Sequence, residues 1–172
     1  YFELVKQFGG VPLVLSYSNN VETNFGRNSA EEVYKQIISD LGEAYKLLPE
    51  TASEGTGRIT KYAAAHYLAK AHLFRASEIN EEWNSQYVAD DLDAVITYGT
   101  EVFNKHPLCK NYIDLWNYTE PNGANEKVSE VVLAAQFSND ESTWGRFGNQ
   151  MHLYYPSVYQ DMAGTKRDIS GG

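Results

Sequence analysis

The stretch TKYAAAHYLAKAHLFRASE, residues 60–78, restricts the possible folds more than any other part of the chain. Ala64, Tyr67, Leu68, Ala71 and Phe74 recur at helical spacing, and Ala65, Ala69 and Ala76 form a second stripe beside them. A helix that is small and apolar on two sides is packed between two neighbours, the habit of a helical array and not of a lone surface helix. Thr60 stands at the position of an N-cap.

Its two neighbours are readable on either side. In SAEEVYKQIISDLGEAYKLL, residues 29–48, Ser29 and Glu32 form an S-x-x-E capping box, each side chain satisfying the other residue's free backbone donor. Val33, Ile37, Leu41, Ala44 and Leu48 make one apolar stripe, which Ile38 and Tyr45 widen. Glu31 and Lys35 sit four apart on the wet side, and Pro49 ends the helix. Gly42 costs such a helix about 1 kcal/mol against alanine, which points to a close neighbour there. A third helix over 85–104 carries Val88, Leu92, Val95, Ile96, Gly99, Val102 and Phe103 in register, with His106-Pro107 as its stop.

The helices recur about every thirty residues, at Val33, Ala64 and Val95, a spacing typical of stacked helix pairs. No strict tetratricopeptide signature can be written. ETASEGTGRI and INEEWNS read as connectors, with Trp83 plugging the second. After residue 110 the texture changes. YIDLW is a short helix or turn with Trp116 at the base of the flank, and SEVVLAAQFS, residues 129–138, alternates like a short strand. The fold expected is mostly α, a helical array with a loop-rich flank that contains one short strand. One domain covers 1–172, with residues 1–107 as scaffold and 108–172 as flank. YFELVKQFGG reads as the last turns of a helix begun earlier, and DISGG closes no element, so the chain reads as a fragment.

Composition excludes several functions. With 23 acids against 14 bases the net charge is −9, where nucleic-acid binding needs a basic stripe. The same balance disfavours anionic substrates and suits a neutral ligand. No apolar run approaches the length of a membrane span. Cys109 is the single cysteine, so no internal disulfide is possible. His66, His72, His106 and His152 make no metal-ligand spacing, and no metal or cofactor is expected; His72 reads as a core histidine with a satisfied nitrogen. Asp90, Asp91 and Asp93 read as negative charge favouring the start of the third helix. Asp140 and Glu141 are the one candidate glycosidase pair, but neighbours in sequence are not placed to face each other across a sugar. There is no G-x-S-x-G, no G-x-G-x-x-G and no P-loop. A non-enzyme is expected.

TWGRFGNQMHLYYPSVYQD, residues 143–161, threads five aromatic rings with amides, glycines and an arginine. Rings cover the C–H face of a pyranose, while amides and a guanidinium meet its hydroxyls, so the pattern suits a neutral sugar. The expected contacts are Trp144, Arg146, Asn149 and Tyr154, with Phe147 and Tyr159 packing the flank.

The order of motifs resembles the SusD/RagB family: YFELVKQFGGVPLV, RNSAEEVYKQIISDLGEAYKLLPE, GRITKYAAAHYLAKAHLFRA, DAVITYGTEVF, YIDLW, SEVVLAAQFS and GNQMHLYYPSVYQD. The resemblance implies a tetratricopeptide-like scaffold beside a loop-rich, ligand-facing part. It also implies a surface lipoprotein of the Bacteroidetes outer membrane that binds glycan or another nutrient and caps a SusC-type TonB-dependent transporter without catalysis. The family's lipid-anchoring cysteine lies before Tyr1, and Cys109, being internal, does not stand in for it. The rival is a helical-repeat scaffold for protein interaction, in which the flank only packs.

Overall fold

The structure, a computed structural model, describes residues 1–135 apart from 18, 22, 53–56 and 117–126. Residues 1–134 form one compact unit. Its helices are α1 (Phe2–Phe8), α2 (Ala30–Leu47), α3 (Lys61–Arg75), α4 (Glu81–Asn84) and α5 (Val88–Lys105), with 3-10 turns at Glu78–Asn80 and Tyr112–Leu115. Among the described residues no helix is long and apolar enough to cross a membrane.

As its two stripes require, α3 lies between α2 and α5. Ala63, Ala64, Ala65, Leu68 and Ala71 are buried along it, and their small size lets both neighbours approach. Ion pairs fix the direction. Lys61 at the start of α3 meets Glu101 near the end of α5 at 3.2 Å, while Arg75 at the end of α3 meets Asp91 at the start of α5. The two helices are therefore antiparallel. Tyr45 near the end of α2 donates to Glu101, and Tyr87, just before α5, donates to Glu31 at the start of α2. So α2 runs parallel to α5. The other end of the core gathers Val5, Val11, Val33, Tyr34, Ile37 and Ala71, with Trp83 packed on it and tilted against the Tyr34 ring.

The capping box of α2 forms as expected: Glu32 N–H donates to Ser29 Oγ at 3.2 Å and Ser29 N–H donates to Glu32 Oε2 at 2.8 Å. The Ser29 backbone donor, then its hydroxyl, hold the Glu32 carboxyl below the usual carboxylate range. A lowered carboxylate pKa contributes stability above its unfolded value and loses it as pH falls through the folded one. Glu32→Ala is therefore expected to be less stable than the parent at neutral pH, the gap narrowing in acid. Unfolding curves of both proteins across the acid range check this; a gap that stays constant with pH would count against it.

Several expectations shift. Thr60 occupies the N-cap of α3 with extended backbone, but its side chain makes no cap bond and its Oγ1 is buried without a partner. The helix ends at Arg75, short of residue 78, because side chains take its last carbonyls. Ser77 Oγ and Asn80 Nδ2 both donate to Phe74 O, and Asn84 Nδ2 donates to Arg75 O at 2.7 Å. A Cβ on Gly42 would meet nothing within 4 Å, so no close neighbour explains that glycine. The strand expected over 129–138 is absent from its described part, 129–135, and no strand occurs among the described residues. Alternation supplies two faces but no neighbouring edge. Here Ser129 and Glu130 turn instead, with Val131 N–H closing on Val128 O at 3.1 Å.

The largest departure is Asp91. It lies in the first turn of α5 as expected, but its side chain is 0% exposed. Arg75 grips it twice, through Nε at 2.9 Å and Nη2 at 2.7 Å, and His72 Nδ1 lies 2.6 Å from the same carboxylate. The Arg75 guanidinium sits 4.3 Å over the Tyr87 ring, and His72 stacks on Tyr98. His72 is thus a satisfied core histidine, as expected.

Candidate functional site

Trp144, Arg146, Asn149 and Tyr154, the expected sugar contacts, lie outside the described residues, as do Asp140, Glu141, Phe147, His152 and Tyr159. What the structure describes of the flank begins where α5 stops.

His106 takes φ −121° and ψ 65°, which no helix continues, and Pro107 follows it. Three hydrogen bonds then tie the departing chain to residues 129–130. His106 Nδ1 lies 2.8 Å from Ser129 O, Ser129 Oγ donates to Pro107 O at 3.1 Å, and Cys109 N–H donates to Glu130 Oε2 at 2.8 Å. On this anchored base the 3-10 turn Tyr112–Leu115 closes through Asp114 N–H to Asn111 O and Trp116 N–H to Ile113 O, at 3.1 and 2.9 Å. The turn brings the Tyr112 and Trp116 rings to 6.1 Å between centroids at a tilt of 49°. Tyr112 is 75% exposed and Trp116 65%. Trp116 therefore does not pack the base of the flank as the sequence suggested. The Y-x-x-x-W spacing within NYIDLW was the signal that would have found the pair.

A second feature is a cavity of about 300 Å³ beside the start of α3. Arg58 and Thr60 line one side, Lys127 and the aliphatic residues Val128, Val131 and Leu133 the other. None of its described lining residues offers an aromatic ring to cover a sugar face.

Neither feature carries an activated nucleophile. Burial, then the hydrogen bond with Glu130, pushes the Cys109 thiol up, which keeps it protonated. Burial, with Lys70 nearby, lowers His66. Among the described residues no three of His, Cys, Asp and Glu converge as a metal-binding group. The arrangement offers binding surfaces: one pair of open rings and one basic-and-aliphatic cavity.

Comparison with known proteins bears on what those surfaces serve. A SusD-like family described as "Starch-binding associating with outer membrane" matches residues 1–73, from α1 almost to the end of α3. A SusD-like protein of Bacteroides ovatus is 31% identical over 142 residues, which make up 80% of this chain and 24% of that protein. The chain belongs to the SusD/RagB family. A second SusD-like protein, P38 of Formosa agariphila, is 25% identical over 164 residues, 92% of this chain and 30% of that protein. The chain thus spans less than a third of the length of these SusD-like relatives. No solved structure matches it.

Proposed function

We propose that this chain is part of a non-catalytic glycan-binding protein of an outer-membrane uptake system, which delivers oligosaccharide to a SusC-type TonB-dependent transporter. The observation that carries the reading is the match to SusD-like proteins through most of the chain, over a helical array of the kind the family's scaffold calls for. In this assignment residues 1–107 are scaffold and 108–172 the ligand-facing flank. The protein is a surface-exposed lipoprotein, and Trp144, Arg146, Asn149 and Tyr154 contact the sugar.

One observation favours the protein-interaction reading beside it. Leu92, Ile96 and Phe103 are exposed along one side of α5, and a Cβ on Gly99 between them would meet nothing within 4 Å. An apolar helix side left in water marks an interaction face.

Calorimetry of the intact protein against neutral oligosaccharides, repeated with Trp144→Ala, tests the assignment. The expected result is binding that Trp144→Ala weakens by more than about 1 kcal/mol, the level at which a truncated hot-spot residue registers. Binding that ignores the substitution would remove Trp144 from the site and leave uptake standing. A protein that binds no oligosaccharide would favour the interaction scaffold, to be followed by capture of its partner.

A further inference from the structure

The turn after α5 carries, on described residues, the chemistry a neutral sugar requires. Resting on the uptake reading above, we propose that Tyr112 and Trp116 form a second platform for a neutral pyranoside at the base of the flank, with Asn111 and Asp114 meeting its hydroxyls.

The rings come first. At 75% and 65% exposure both rings stand open among the described residues. At 6.1 Å between centroids and a 49° tilt, the two rings offer adjoining apolar faces set at an angle. Beside it, Asn111 Nδ2 and Asp114 Oδ2 lie 3.4 Å apart, beyond the usual N–H···O range, so both keep capacity for other partners. An amide offers donors and an acceptor, and a carboxylate offers acceptors only, which together match a hydroxyl-rich ligand. Asp114 and the net charge of −9 disfavour an anionic ligand at this turn.

Preorganisation supports the same occupant. The bonds from residues 106–109 to 129–130 hold the base of the turn, and two backbone bonds close the turn itself. Tyrosine and tryptophan have few rotatable bonds, so little ordering remains to be done when a ligand arrives. The 112–116 platform is separate in sequence from the 144–154 stretch, and each can be tested without the other.

The test titrates the intact protein with maltoheptaose, cellohexaose and laminarihexaose by calorimetry, alongside Tyr112→Ala, Trp116→Ala and Trp116→Phe. For whichever sugar binds, each alanine variant is expected to weaken affinity about tenfold or more, and Trp116→Phe, which keeps a ring, by about threefold or less. Thermal unfolding should be unchanged in all three, because the rings are exposed. Alanine variants that bind as the parent does overturn the platform and leave the uptake reading intact. A loss that Trp116→Phe shares in full also overturns it, since a ring face is then not what the sugar needs. A parent protein that binds none of the three sugars overturns the platform, while the uptake reading is decided by the wider panel of neutral oligosaccharides.

Discussion

Asp91→Ala is expected to lower the unfolding free energy of the unit formed by residues 1–134 by about 3–5 kcal/mol, the cost of leaving a buried charge without its partner. The carboxylate is fully buried and accepts two bonds from Arg75, whose own side chain is only 10% exposed. Without Asp91 the guanidinium keeps the Tyr87 ring beneath it but no anion, and it cannot shed its proton to escape the penalty. His72 Nδ1 loses its partner at the same time. The effect is confined to one junction, because Arg75 closes α3 and Asp91 opens α5. A control separates the lost contact from the stranded charge. Replacing both members, as Arg75→Met with Asp91→Leu, should cost much less than Asp91→Ala, since a buried ion pair is often matched by apolar residues of similar volume. Denaturant unfolding of the intact protein and these variants measures both. If Asp91→Ala unfolds within about 1 kcal/mol of its parent, the network is not what holds α3 on α5.

The helices were legible because their signals are local. Ser29 and Glu32 are three residues apart, so the start of α2 is written in four letters, and the double alanine stripe of α3 requires two neighbours whichever helices supply them. What failed to show depends on residues far apart in sequence. Nothing near Asp91 distinguishes it from Asp90 and Asp93; the difference is made by Arg75, sixteen residues earlier. Tyr34 lies beside the α2 stripe and not on it, yet is buried because Trp83 arrives over it. Residues 129–135 have the alternation of a strand, but their polar groups bind the exit of α5 where a strand would need an edge. The ring pair was missed for the opposite reason. The sequence suggests a packing role for Trp116, whereas its exposure is set by how the anchored turn presents it. Family membership was legible from motif order, while the expected sugar contacts fall at 144–154, outside the described residues.

Gly10→Ala is expected to destabilise the same unit by about 3 kcal/mol, the upper end of what forced overpacking costs. A Cβ there would lie 2.1 Å from Asn28 O, and that atom is backbone, so no side-chain rotation relieves the clash. The surrounding contacts make a shift expensive. Asn28 N–H donates to Val11 O at 3.2 Å, its side-chain oxygen accepts from Leu13 N–H at 3.0 Å, and the Arg27 guanidinium donates to the carbonyls of Phe8 and Gly10. Moving Asn28 away would break the clamp that joins the exit of α1 to the start of α2. The preceding glycine is needed for another reason: Gly9 ends α1 at φ 66° and ψ −128°, a sparsely populated conformation that costs a residue with a Cβ about 1–3 kcal/mol but displaces no neighbour. Gly9→Ala should therefore be the milder change. Equal losses at the two positions, or a Gly10→Ala protein as stable as its parent, would mean that the 27–28 segment yields freely. The FGGVPL exit would then owe its glycines to turn geometry alone and not to the close crossing of two chain segments.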